Sequence, residues 1–175
     1  MPLTPPPSLI RPSIKAASYV TGLGANATAA YVLNACYFLP VFLVQRPYDR
    51  ILFQVTTAGG PGALVRLGIY SDTDGEPVTL LTEAGTVDAS TIGVKEITIA
   101  WTPPSAGLYW LAAAFQVSAC SGYGFNTGSF LIGRQAFSDT GAGFHQLAVS
   151  GALPAATSGL SSGAAVYPRL GVRAA

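Results

Sequence analysis

The stretch Gly107-Leu108-Tyr109-Trp110-Leu111-Ala112-Ala113-Ala114-Phe115-Gln116-Val117 decides how the rest of the chain must fold. It is apolar at both odd and even positions, so a strand built from it has two faces that need cover. A second sheet can supply one cover. The other must come from a neighbouring subunit or from long loops. Outward from this stretch the pattern changes to strict alternation. In Val94–Trp101, Ile97, Ile99 and Trp101 share a face and Glu96 and Thr98 take the other. In Leu64–Tyr70 the inward set is Val65, Leu67 and Ile69, with Arg66 opposite, and in Asp49–Thr56 it is Ile51, Phe53 and Val55. Each of these reads as a half-buried strand with one wet side. The run Ala27–Val44 is apolar, but it is short for a membrane span of ~20 residues and is interrupted by Asn34 and Pro40. It predicts two consecutive strands and no membrane span.

Turn chemistry separates these segments: Gly59-Gly60-Pro61-Gly62, then Asp74-Gly75 with Glu76-Pro77, then Thr102-Pro103-Pro104-Ser105-Ala106-Gly107. Strands at such spacing, with no helical stripe between them, predict an all-β antiparallel β-sandwich. Residues 118–163 are rich in glycine and predict long loops around short strands near Ser129–Ile132 and Phe144–Val149. The stretch Ala165–Arg173 predicts a last strand, with Pro168 marking an edge or a bulge.

Composition narrows the function. Of 175 residues only 10% are charged and 50% are hydrophobic; nine Lys and Arg oppose eight Asp and Glu. The mean hydropathy is +0.43. A near-neutral chain without clustered cations does not bind nucleic acid through a basic field. No basic and then apolar leader is visible at the N-terminus. Residues 1–17 instead form an extended Pro-rich N-terminal arm, with Pro2, Pro5, Pro6, Pro7 and Pro12 and only Arg11 and Lys15 charged. Proline fixes φ and lacks an N–H, so this arm favours a polyproline-like path. The single domain then covers residues 18–175. Pro5, Pro6, Pro7, Leu9, Ile10, Arg11 and Pro12 are the candidate assembly residues.

Motifs that carry chemistry are weak. Asp139-Thr140-Gly141 copies an aspartic-protease triplet, but Leu131-Ile132-Gly133-Arg134 precedes it when it should follow, so a polar turn is the better reading. Asp72, Asp74 and Glu76 with Glu83 echo a calcium loop, yet Pro77 stands where that loop needs glycine. A hairpin connection is expected there. No Gly-x-Ser-x-Gly elbow in strand–turn–helix context occurs to complete a triad with His145 and Asp139, so His145 reads as a surface or loop residue. Asn26-Ala27-Thr28 fits a sequon and is read as a turn. Cys36 and Cys120 lie in apolar stretches, either as buried thiols or as one bridge; with the lone histidine they make no zinc site. No catalytic residue, metal or cofactor is expected. Tyr123, Phe125 and Phe144 fall in Gly-rich sequence and are candidates for exposed rings that contact a host-surface glycan or another subunit, or for plugs at the ends of the sandwich.

One block resembles a known group. Asp49-Arg50-Ile51 is followed by Arg66-Leu67-Gly68-Ile69-Tyr70-Ser71-Asp72, Gly75-Glu76-Pro77, Ala84-Gly85-Thr86-Val87-Asp88, Lys95-Glu96-Ile97-Thr98-Ile99 and Gly107-Leu108-Tyr109-Trp110-Leu111-Ala112. This order is similar to β-sandwich domains of tailed-bacteriophage virion proteins: tail fibres, spikes and small head-decoration proteins. The resemblance consists of strand and turn residues and leaves out residues 1–30 and 118–175. It implies a jelly-roll-like fold, a homotrimer, residence in the virion beside other capsid or tail proteins, and no enzyme activity. The low charge is consistent with burial in a symmetric assembly, in which a trimer would cover one sheet face and use the proline arm as a strap. A carbohydrate-binding module or lectin-like receptor-binding domain is the alternative.

Overall fold

The computed structural model describes residues 17–21, 26–126, 143–162 and 166–175. Residues 1–16 of the arm, the Asp139 turn and the strand expected near Ser129–Ile132 lie outside them. Every regular element among the described residues is a strand: β1 (Tyr19–Thr21), β2 (Asn26–Ala30), β3 (Cys36–Leu43), β4 (Tyr48–Thr57), β5 (Leu64–Thr73), β6 (Glu76–Asp88), β7 (Gly93–Trp101), β8 (Gly107–Gln116), β9 (Ser121–Asn126), β10 (Phe144–Gln146), β11 (Val166–Pro168) and β12 (Leu170–Ala174).

Asp74 and Gly75 both take left-handed backbone, φ 53° and 83°, the geometry of a two-residue turn whose twist matches its flanking strands. From that tip the chain runs double. β5 pairs with β6, β4 with β7, β3 with β8 and β2 with β9, all antiparallel. The doubled ribbon then rolls up, so that β8 meets β5 and β9 meets β4. This connectivity is a jelly roll. One sheet has the order β10-β3-β8-β5-β6. In the other, β7 lies along one edge of β4, and β12 and β9 share the opposite edge end to end. β12 pairs with Tyr48–Phe53 and β9 with Val55 and Thr57. β1 extends the sheet beyond β12.

The alternation read from the sequence holds. Ile51, Phe53 and Val55 on β4 and Val65, Leu67 and Ile69 on β5 are fully buried between the sheets with Leu111 and Phe115. Ile97 and Trp101 pack against the same core at its margin. β8 is central, flanked by β3 and β5. Its second face is covered by the chain itself, the long-loop solution. Trp110, Ala112 and Ala114 join Cys36, Phe38, Tyr70, Phe144, Val149 and Leu153 in a separate outer cluster. The covering segment is tied down across the sheet: Tyr70 Oη donates to Pro154 O at 2.7 Å, Gln116 Nε2 to Gly151 O at 2.6 Å, and Leu80 N to Ala155 O at 3.0 Å. Gly68 leaves room for it, because a Cβ there would stand 2.4 Å from Leu153 Cδ1.

Four expectations need correction. Residues 121–126 form β9 and not a loop. Its glycines face the core: a Cβ on Gly122 would stand 2.4 Å from Phe53 Cζ, and one on Gly124 3.0 Å from the Tyr31 hydroxyl. Glycine here signals close approach of a ring to a strand and not a turn. The sequon residues Asn26–Thr28 lie on β2 and not in a turn. The last strand is two, β11 against β9 and β12 against β4, with the break at Arg169; β10 ends at Gln146, short of Val149.

Gly122→Val should lower the unfolding free energy by about 1–3 kcal/mol, the usual cost of overpacking, or prevent folding outright. Gly151→Ala, where an added Cβ meets nothing within 4 Å, should change it by under ~0.5 kcal/mol. Urea denaturation of the two variants checks this; equal effects would remove the ring-approach account.

Candidate interaction surfaces

The arm residues Pro5, Pro6, Pro7, Leu9, Ile10, Arg11 and Pro12 lie outside the described residues. The three aromatic candidates do not form a stacking platform. Phe125 is 2% exposed and belongs to the inter-sheet core. Phe144 is 5% exposed and packs edge-on against Trp110, with ring centroids 5.4 Å apart. Tyr123 is half-buried on β9, where its carbonyl accepts from the Tyr31 hydroxyl and from Arg169 N, both at 2.8 Å. Neither Phe125 nor Phe144 is an exposed ring: the first packs between the sheets and the second against the outer face of the β10-β3-β8-β5-β6 sheet.

The two ends of the sandwich differ sharply. At the basal end, which holds the Asp74-Gly75 tip, the connections and their borders carry Arg46, Asp74 and Glu76. Ala17 N donates to Ala174 O at this end, so the arm joins the domain here. At the apical end, the connections 31–35, 58–63, 89–92, 117–120 and 147–152 contain no Asp, Glu, Lys, Arg or His. Asp88, which accepts from Ser90 N at 2.9 Å, and Lys95, bonded to Thr91, mark the rim. Val32, Leu33, Ile92, Val117 and Leu147 are exposed at this end.

The apical connections brace one another. Val149 N donates to Asn34 O at 2.8 Å, Asn34 N to Phe115 O at 2.7 Å, Ala89 N to Ala63 O at 2.8 Å and Gly60 N to Ser118 Oγ at 2.9 Å. Three non-glycine residues among them are held at positive φ: Asn34, Val117 and Ala148. Val117 is the costly one. It is β-branched, sits at φ 67° and is 63% exposed, while Ser118 N closes a γ-turn onto Gln116 O at 2.8 Å.

The outer face of the β4-β7-β12 sheet is the second open surface. Asp49 accepts two hydrogen bonds from Arg173, at 2.9 and 2.6 Å, and Arg50 stands 3.7 Å from Asp49 and 4.0 Å from Glu96. The Arg173 hydrogen bonds, then its charge and that of Arg50, hold the Asp49 carboxyl below the usual carboxylate range. Above this network lies a groove of about 320 Å³, lined by Tyr19, Leu52, Gln54, Val94, Glu96, Arg169, Leu170 and Gly171. Its walls stay open: Tyr19 is 56% and Val94 55% exposed. The sequence pattern placed several of these residues on the wet side of their strands, but β1 and β12 close the groove only through pairing.

The remaining polar candidates are dispersed. Asp72 accepts from Trp110 Nε1 at 2.7 Å, and Glu83 pairs with Arg66. The Asp72–Glu76 region is a hairpin, as expected, and no cluster of three or more His, Cys, Asp or Glu suited to a metal occurs among the described residues. Cys36 lies in the outer cluster and Cys120 in the main core; both are buried free thiols, and burial pushes Cys120 up to about 11. His145 stacks on Tyr37, with ring centroids 6.0 Å apart, and its buried Nδ1 has no hydrogen-bond partner. Desolvation lowers its pKa, against a smaller opposing contribution from the Ser161 backbone. No described helix is long and apolar enough to cross a membrane. No protein-family model and no curated protein sequence matches this chain.

Two predictions follow from these groups. The folded-state pKa of His145 lies below its unfolded value, so its contribution is present above pH ~6.5 and is lost as pH falls through the folded pKa. His145→Gln should therefore flatten the fall in melting temperature between about pH 7 and pH 5; a slope identical to the parent chain would remove His145 as the cause. Val117→Gly should relieve left-handed strain of about 1 kcal/mol or more, leaving stability unchanged or raised in urea melts. A loss above 1 kcal/mol would show that the valine side chain is supported by packing.

Proposed function

We propose that this chain is a non-enzymatic structural component of a bacteriophage virion. In this reading it is a small jelly-roll sandwich that assembles with copies of itself, expected as a trimer, and is attached through its Pro-rich arm as a head-decoration or tail-associated protein. The observation that carries the reading is the polarity of the domain. The described chain begins at the charged basal end, and at the opposite end the described connections brace one another, carry no charged side chain and expose aliphatic ones. Exposed aliphatic side chains gathered at one end of a domain make that end a candidate interaction site. The low overall charge agrees with a molecule whose surface is largely in contact with others. In a particle, the basal end would face the lattice through the arm and the apical end would face outward, toward a host surface or a neighbouring virion protein.

Light scattering on the purified full chain should give a mass near three times 17.9 kDa. Deletion of residues 1–16 should abolish co-sedimentation with phage particles that lack the protein, with the melting temperature changed by only a few degrees. A monomer that fails to bind particles with its arm intact would overturn the proposal.

A further inference from the structure

We propose that the apical end is a lipid contact, which seats its aliphatic tips in the surface of a zwitterionic bilayer without spanning it. This contact rests on the reading of the apical end as the outward one and names what that end meets. Val32, Leu33, Ile92, Val117 and Leu147 are between 43% and 68% exposed. They come from the connections 31–35, 89–92, 117–120 and 147–152, and the connection 58–63 adds exposed Ala58, Pro61 and Gly62. Among the exposed residues of these connections, Thr91 and Ser150 alone have polar side chains. The Thr91 hydroxyl already accepts from Lys95.

The connections touch one another in series. Gly59 N donates to Ala89 O at 3.0 Å, Gly60 N to Ser118 Oγ at 2.9 Å, Tyr31 N to Cys120 O at 3.2 Å and Val149 N to Asn34 O at 2.8 Å. Ala63 N is paired to Gly60 O and Ala35 N to Val32 O. These bonds hold the tips at one end and also occupy main-chain groups that would otherwise need water. An unpaired main-chain group is costly next to lipid, so loops approach a bilayer best when their backbone is paired internally. The side chains then enter the boundary between headgroups and acyl chains, to a depth of ~5–10 Å.

Side-chain chemistry selects lipid over a protein partner. Protein interfaces are anchored by Trp, Tyr and Arg within a polar rim. No exposed residue of the apical connections is aromatic or an arginine. Hydrocarbon accepts Val, Leu and Ile and rejects charge, which is the composition found here. The charges nearest the connections in sequence balance: Asp88 with Lys95, and Arg66 paired to Glu83. Desolvation keeps His145 neutral at pH 7. A balanced rim complements zwitterionic headgroups and gives no added pull toward anionic lipid. Val117 fits the same role. Glycine would relax its left-handed backbone, yet the position keeps an aliphatic side chain, 63% exposed.

The test is flotation of the full chain with phosphatidylcholine vesicles. The chain should float with them equally at low and high salt, and no better when phosphatidylglycerol is added. Ile92→Glu and Leu33→Asp should each weaken partitioning about tenfold. Val117→Gly should weaken it as well while leaving urea stability equal or higher. Phe42→Glu, an exposed position in the basal half of β3, should change nothing. No flotation, flotation on anionic vesicles alone with loss at high salt, or equal losses for Phe42→Glu and Ile92→Glu would overturn the proposal. So would Ile92→Glu turning an oligomer into a monomer when the parent chain ignores vesicles, which would make the apical end a contact between copies. A chain that assembles and sediments with particles yet ignores vesicles overturns the lipid contact and leaves the assembly reading standing. A monomer that floats but binds no particle does the reverse.

Discussion

The structure depends on covering both faces of β8. A strand that presents Tyr109, Leu111, Ala113 and Phe115 on one side and Trp110, Ala112 and Ala114 on the other cannot lie at a surface, since each large side chain left in water forgoes about 1.5–3 kcal/mol. The inner side is met by the second sheet. The outer side takes the segment from Phe144 to Leu160, which crosses the β10-β3-β8-β5-β6 sheet and bonds at both margins, through Ser161 to His145 and through Ala155–Thr157 to β6. That one requirement accounts for the small residues Ala112, Ala114 and Gly68 beneath the segment and for the main-chain acceptors that Tyr70 and Gln116 find in it.

Among the described residues, the chain covers the outer face of one sheet and not that of the other. The β4-β7-β12 face keeps its polar network at the basal half and a groove above it, and the apical connections keep their aliphatic tips in water. The surfaces available for contact are therefore set by the internal economy of the core. The segment 144–160 is spent on β8 and is not free to shield anything else. The assembly reading proposed above draws on this asymmetry.

Strand identity was legible wherever one face is dry and the other wet. Ile51-Phe53-Val55, Val65-Leu67-Ile69 and Ile97-Ile99-Trp101 lie as their alternation demanded, and Asp74-Gly75 turns as its residue types require. β9 was not legible, because Gly122 and Gly124 read as loop residues. At Gly122 the Phe53 ring, and at Gly124 Val166, the Tyr167 carbonyl and the Tyr31 hydroxyl, occupy the space a side chain would need, and those groups are distant in sequence. The same error made Phe125 and Phe144 look exposed. A glycine-flanked aromatic gives no local sign of whether its surroundings are water or another strand.

From the sequence alone, the physics of short-range periodicity determined an all-β chain and which faces of its main strands turn inward. These follow from properties of single residues and their near neighbours. Only the tertiary structure decided which strands pair, that the second face of β8 is covered from within, that the charge-free connections converge on one end, and that Tyr19, Leu52, Val94 and Gly171 meet in a groove. Those outcomes depend on contacts between residues tens of positions apart, which are fixed by how the doubled ribbon rolls and carry no mark in local sequence.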